Sequence, residues 1–237
     1  MTLWDDLLVV QEHDTHADQI THRKQSLPER GELEKVMAQV GTVESGSAEV
    51  EERRHELGRA QQRLEDEISS LGTKATAHDT QLYSGTIANP RELQSLQDEI
   101  AALKRRIGQL EDQELELMEQ IEPLDADLVR LAADRSELDD QAQALRASIA
   151  EAEVELDDEL AAVQSERDAA AAGVDAELLA EYERLRGRAG GIAIARLVGG
   201  SCGGCHLSLP AVEVDRIKKL PPDEPAFCEE CGRLLAR

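Results

Sequence analysis

Aromatic side chains are almost missing from this chain: Trp4, Tyr83, Tyr182 and Phe227 are the only four in 237 residues. Large rings supply much of the area that seals an ordinary core. A compact enzyme wrapped around a deep pocket is therefore not the expected architecture. Long apolar runs are missing too. No segment approaches the ~20 consecutive apolar residues that span a bilayer. The opening residues lack the basic and apolar stretches of a signal peptide. A cytoplasmic protein with no membrane partner is expected. Cysteine is scarce, with four residues, and a reducing cytoplasm favours metal ligation over disulfides for them. Cations are outnumbered, 26 basic against 50 acidic side chains, for a formal charge of −24.

What is present is aliphatic. Leu, Val, Ile and Ala make up most of the 41% apolar content. Together with abundant Glu, Asp and Arg, this composition reads as long helices zipped by aliphatic seams. The charge is unevenly placed. Residues 196–237 carry six basic and six acidic groups, so the whole −24 lies in residues 1–195. Such an acidic rod repels nucleic acid and anionic membrane along its length.

The heptads are clearest in the second half of the rod. Leu96, Leu103, Leu110, Leu117, Leu124, Leu131, Leu138 and Leu145 repeat in sevens. The companion position carries Leu93, Ile100, Ile107, Glu114, Ile121, Leu128, Arg135, Ala142 and Ile149. Alternating steps of three and four over this length specify a left-handed coiled-coil seam. Asn89 suits an N-cap, Pro90 a first helical position, and Glu92 the far side of a capping box. Pro123 removes one ladder bond and predicts a kink. An earlier arm repeats Val36, Val43, Val50, Leu57, Leu64 and Leu71, with polar Ser47, Arg54 and Gln61 in its companion seam. Gly41, Gly46, Gly58 and Gly72 each lower helix propensity by ~1 kcal/mol relative to Ala. This arm is expected to be bent or interrupted near residues 41–47. A preceding helix with Leu3, Leu7 and Val10 should break at Leu27-Pro28.

Between the arms, Gly85 and Asn89-Pro90 are turn signals. Two antiparallel registers fit. One pairs Ala75 with Leu96 and centres the turn between Gly85 and Thr86. The other pairs Leu82 with Leu96 and centres it at Asn89. A parallel homodimer with residues 83–90 as a joint is the competing arrangement, so monomer and coiled-coil dimer both stay open. After the second arm, Asp175 can cap a neck helix that Gly187, Gly190 and Gly191 end. A β-like run from Ile192 to Val198 then reaches Gly199-Gly200.

The cysteines form two Cys-x2-Cys pairs, Cys202/Cys205 and Cys228/Cys231, separated by 22 residues. Such spacing suits one tetrahedral zinc ribbon, ahead of disulfides or an iron–sulfur centre. Four thiolates fill the shell, so the single Zn2+ is expected to be structural. His206 reads as a surface neighbour of the site, and His13, His16 and His22 as solvated helix residues. Around the ribbon, Arg184, Arg186, Arg188, Arg196, Arg216, Lys218, Lys219 and Arg233 are candidates for a basic, nucleic-acid-binding patch. Stacking rings beyond Phe227 are lacking there.

The segment Leu82-Tyr-Ser-Gly-Thr-Ile-Ala-Asn-Pro-Arg-Glu-Leu93, with Cys202-Gly-Gly-Cys-His-Leu-Ser-Leu-Pro210 and Cys228-Glu-Glu-Cys-Gly-Arg-Leu-Leu235, resembles the bacterial C4-type zinc ribbon proteins with an N-terminal coiled-coil hairpin. The resemblance covers nearly the whole chain. It implies a long kinked helical hairpin bearing a small ribbon, with Cys202, Cys205, Cys228 and Cys231 as zinc ligands. It also implies a non-enzymatic regulator of the kind that binds sigma-54, flagellar export components or, in one branch, a flagellin transcript.

The expected fold is thus mostly α: a long kinked antiparallel coiled-coil hairpin plus a small C-terminal β-rich zinc ribbon with four cysteine ligands. The hairpin should occupy residues 1–187, with arm one at about 3–82, the turn at 83–90, arm two at about 90–172 and the neck at 175–187. The ribbon should occupy 188–237. The leading function is a non-enzymatic adaptor or regulator of an unidentified protein partner, with Leu82, Tyr83 and Ile87 at the loop as contact residues. The alternative is RNA or DNA binding through the ribbon and the Arg-rich neck. A phosphate-cradling loop, an activated nucleophile and an open metal site are all missing, which argues against an enzyme.

Overall fold

The computed structural model describes residues 3–222 and 224–237, with the Leu3 side chain outside the description. Helix α1 (Leu3–Gln25) is followed by α2 (Pro28–Tyr83) and α3 (Pro90–Ala171). Then come α4 (Ala176–Arg188), β1 (Ile194–Val198), β2 (Ser201–Cys202), α5 (Ala211–Lys219) and β3 (Leu234–Ala236). The chain falls into two compact units. One is residues 33–144. The other joins residues 1–32 to 145–237.

In the 33–144 unit, α2 and α3 close a helical hairpin through residues 84–89. The buried positions follow the heptads. Leu96, Ile100, Leu110 and Ile121 are buried on α3, and Val36, Val40 and Ala75 on α2. Leu103, Leu117, Leu124, Leu131 and Leu138 are half-buried along the same seam. Ion pairs bridge the arms at Arg54–Asp125 (2.9 Å), Arg106–Glu67 (3.0 Å), Lys104–Asp79 (3.3 Å) and Arg135–Glu44 (3.0 Å). Exposed pairs of this kind contribute little energy, but they record the register. Their midpoints scatter by a few positions, as long side chains allow, but average close to Asn89, which selects the register pairing Leu82 with Leu96. At the start of α3, Asn89 Oδ1 accepts from the Arg91 N–H at 3.0 Å. The reciprocal Glu92 bond of a capping box is not formed among the described residues.

The expected interruption near residues 41–47 does not occur, because α2 runs unbroken from Pro28 to Tyr83. A Cβ built on Gly41 or Gly46 would meet open space, so neither glycine marks a tight approach. Their propensity cost is a weak prior that seam packing overrides. Pro123 does lie inside α3, and the hairpin is kinked as expected.

The other unit gathers α1, the end of α3, α4 and the ribbon. Trp4, Leu7 and Val10 of α1 pack with Ala171, Val174, Tyr182, Ile194 and Leu234 in one buried cluster. Asp175 caps α4, its carboxylate accepting from the N–H groups of Glu177 (2.9 Å) and Leu178 (3.2 Å). The strands form a sheet of order β2-β1-β3, antiparallel between β1 and β2 and parallel between β1 and β3. Val198 pairs with Ser201 across Gly199-Gly200. Both glycines have positive φ, 60° and 88°, as a two-residue type I′ hairpin turn requires. A second cluster, including Ala195, Leu209, Ile217 and Leu235, surrounds Cys202 and Cys228.

Polar residues tie α1 to the sheet. Gln11 is buried. Its Oε1 accepts from the Ala193 N–H at 2.7 Å, and its Nε2 donates to the Gly191 carbonyl at 2.9 Å. One side chain thus satisfies backbone groups that the edge of β1 would leave orphaned. Three residues on, the buried Asp14 carboxylate accepts from the Tyr182 hydroxyl at 2.7 Å and from Arg167 at 3.4 Å. Burial, followed by this hydrogen bond, pushes the Tyr182 phenol far above its ordinary range.

Candidate metal centre

Cys202 lies in β2 and Cys205 in the turn after it, while Cys228 and Cys231 flank the turn that leads to β3. The four sulfurs all lie within 4.8 Å of one another. Cys202 and Cys231 are 3.9 Å apart, and Cys205 and Cys228 are 3.8 Å apart. A tetrahedral ion with Zn–S bonds of ~2.3 Å sets its sulfurs ~3.8 Å from each other. The observed pairs match that spacing. Cys202 and Cys228 are buried, and Cys205 and Cys231 are half-exposed.

The two knuckles are built alike. The residue after each second cysteine sits in the left-handed region, His206 at φ 62° and Gly232 at φ 70°. Its N–H donates back to the carbonyl of the first cysteine, at 2.8 Å in both cases. Further backbone N–H groups point at the sulfurs, from Gly204 to Cys202 at 3.4 Å and from Leu207 to Cys205. Glu230 and Cys231 donate to Cys228, and Arg233 to Cys231. These donors stabilise thiolate charge and orient the ligands. Without metal, burial pushes the Cys228 thiol up to about 12. Burial also acts to raise Cys231, but the Arg233 N–H and the neighbouring thiols outweigh it and hold it at about 7.

Gly203 is required by a close approach. A Cβ there would stand 2.9 Å from the Arg196 carbonyl oxygen, which accepts the Gly203 N–H at 2.9 Å. Gly203→Ala is expected to destabilise the ribbon by ~1–3 kcal/mol, since backbone must move to admit the methyl. His206→Gly, which relieves a left-handed non-glycine residue, should lower stability by less than ~1 kcal/mol or raise it. Zinc-release midpoints in denaturant compare the two; equal losses would contradict this account of the knuckles.

Four soft thiolates closing a shell form a structural zinc site with no position left for water. Fold and site together define a zinc-ribbon protein carried on a helical hairpin. Residues 10–190 match the model of the CT398-like coiled coil hairpin domain, and residues 201–235 that of the C4-type zinc ribbon domain. The chain belongs to the CT398-like coiled-coil hairpin family and holds one structural Zn2+ in its ribbon. It is 33% identical to the Mycobacterium tuberculosis protein Rv2229c over 235 residues, 98% of this chain and 94% of that one. A solved Mycobacterium smegmatis structure aligns over the full length of both chains at TM-score 0.89 and 28% identity. CT398 from Chlamydia trachomatis aligns over 98% of this chain and 96% of its own, at TM-score 0.73 and 23% identity. That last likeness shows the fold alone.

The basic candidates do not stand together as uncommitted cations. Arg184 pairs with Glu181, Arg216 with Glu213 at 2.5 Å, and Lys219 with Asp215 at 3.1 Å. Arg186 reaches Asp18 at 2.6 Å, and Arg196 reaches Asp5 at 3.3 Å. Arg233 donates to the carbonyls of Ile192 and Ala189, both at 2.8 Å. Arg188 and Lys218 are exposed. Sequence reasoning also missed the use of Arg237. Its guanidinium donates to the carbonyls of Ile217, Leu220, Pro221 and Glu224 at 2.7–2.9 Å and so satisfies the end of α5. At the hairpin loop Tyr83 is 83% exposed, with Leu82 and Ile87 half-buried beside it. No helix among the described residues is long and apolar enough to cross a membrane.

Proposed function

We propose that this protein is a non-enzymatic adaptor that engages a protein partner through the hairpin loop, with the zinc ribbon as a second contact region. The observation that carries the reading is Tyr83, a large exposed ring at the loop flanked by Leu82 and Ile87. Exposed aromatic anchors beside aliphatic residues are the composition of binding hot spots. A closed four-thiolate shell supports a structural rather than a catalytic metal. The internal pairing of Arg184, Arg186, Arg196, Arg216 and Lys219 favours a protein partner over nucleic acid, whose phosphates would have to compete with those carboxylates. The sigma-54 and flagellar roles implied by the sequence resemblance form no part of the proposal.

The test is in-cell crosslinking and purification of the full chain beside a Tyr83→Ser/Ile87→Ser variant. A protein captured by the former and lost from the latter is expected. Equal capture by both, or capture abolished by nuclease, would overturn the reading.

A further inference from the structure

The middle of α3 carries a surface that neither the seam nor the zinc explains. Between Arg106 and Arg130 the chain has eight acidic residues and no basic one. Asp125 is paired with Arg54 and Asp127 with Arg130. Glu111, Glu116, Glu119 and Glu122 face no cation in any ion pair among the described residues. Within this acidic stretch sit three of the large apolar residues most open to solvent. Leu115 is 57% exposed, Met118 47% and Val129 74%.

Their spacing makes one face. Glu111, Leu115, Met118, Glu122, Asp125 and Val129 follow steps of four, three, four, three and four, the period of a single helical stripe. The stripe lies directly beside the seam position occupied by the buried Ile121. A groove of about 600 Å³ runs there, between Arg54 and Gln61 on α2 and Leu115, Met118 and Glu122 on α3. Apolar anchors are thus interspersed with carboxylates, of which Glu111 and Glu122 carry no ion pair among the described residues, over about 27 Å of helix at 1.5 Å per residue.

We propose that this face docks a basic amphipathic helix of a partner protein, its apolar residues on Leu115, Met118 and Val129 and its Lys or Arg side chains on Glu111, Glu119 and Glu122. The inference rests on the adaptor reading but uses a surface separate from the loop. Charge chooses the occupant. A second copy of the chain would bring the same acidic stripe against itself, and like charges juxtaposed across an interface oppose association. Nucleic acid and anionic membrane are repelled for the same reason. A helix with i, i+3, i+4 apolar anchors and flanking cations complements both features of the stripe.

The full-length zinc-loaded protein tests this against a synthetic Leu/Lys amphipathic peptide about five turns long, read by fluorescence anisotropy at physiological salt. A scrambled peptide of identical composition is the charge control. Leu115→Ser/Met118→Ser and Glu119→Lys/Glu122→Lys each change only exposed side chains, and circular dichroism checks that helicity is kept. Each double variant should bind at least ~10-fold more weakly, as should the scrambled peptide. Tyr83→Ser/Ile87→Ser should bind as the parent does, which separates failure here from failure of the loop proposal. Equal affinity for the scrambled peptide, unchanged affinity in either double variant, or loss of binding in the loop variant would overturn the inference. So would a parent dimer that Leu115→Ser/Met118→Ser dissociates, which would assign the face to a second copy.

Discussion

Replacing Cys228 with serine is expected to abolish stoichiometric zinc binding and to unfold the ribbon while most helical signal persists. Cys228 is 1% exposed and sits in the same cluster as Ala195, Leu209, Ile217 and Leu235. The ribbon is too small to bury a sufficient core by itself, so the metal supplies its folding free energy. Structural zinc in comparable small domains is worth ~10–16 kcal/mol of apparent binding energy, far above what one small sheet contributes. Most helical residues lie in α2 and α3, so far-ultraviolet circular dichroism should change little. The reporter is built in. Trp4 is the single tryptophan of the chain. It is 3% exposed, and its Nε1–H donates to the Pro222 carbonyl of the ribbon at 2.7 Å. Its emission should shift to the red in Cys228→Ser and in chelator-treated parent protein. Full zinc occupancy with unchanged emission would contradict the assignment.

The same thiol predicts a pH dependence. Without metal its pKa is raised to about 12, so near neutral pH zinc must displace a proton from it. Cys231, at about 7, is also increasingly protonated below neutrality. Zinc competition with a chelator should therefore show weaker affinity at pH 6 than at pH 8. A flat profile would mean that the thiols are already ionised before the metal arrives.

Trp4→Ala is expected to destabilise the zinc-bearing unit by ~3–5 kcal/mol, the range for emptying a buried ring site. The ring packs in the cluster that joins α1 to Ala171 of α3, Tyr182 of α4, Ile194 of β1 and Leu234 of β3. Its loss also leaves the Pro222 carbonyl without its partner. Trp4→Phe separates the two contributions. It keeps most of the ring burial and loses the hydrogen bond, for a smaller cost that includes ~1 kcal/mol for that bond. Amide exchange should accelerate in α4, β1 and β3 for the alanine variant. A loss below ~1 kcal/mol would show that α1 is not part of this core.

The importance of α1 was only partly legible. Leu7, Val10, Gln11 and Asp14 occupy one helical face, yet Gln11 and Asp14 look like solvated residues when read singly. Their burial follows from partners about 150 to 180 positions away, the Ala193 N–H, the Gly191 carbonyl, Arg167 and the Tyr182 hydroxyl. Local periodicity carries no information about such partners. The partners of the arginines were equally illegible: Arg186 and Arg196 reach acids of α1, and Arg233 and Arg237 satisfy backbone carbonyls.

Short-range repetition accounts for the features that were legible before the fold was known. Heptads place the seam, because side chains three and four apart share a helix face. Two Cys-x2-Cys pairs define the zinc site, because each knuckle points two sulfurs at one ion. Gly199-Gly200 ends β1, because a two-residue hairpin turn needs positive φ. Folding in three dimensions settled the register of the hairpin, since the heptad repeat fits equally after a shift of one heptad and the ion pairs across the seam distinguish the two. It also decided that α2 stays continuous through its glycines, where packing outweighs propensity. And it decided which charges are already committed, because the pairing of an arginine depends on what the fold brings beside it.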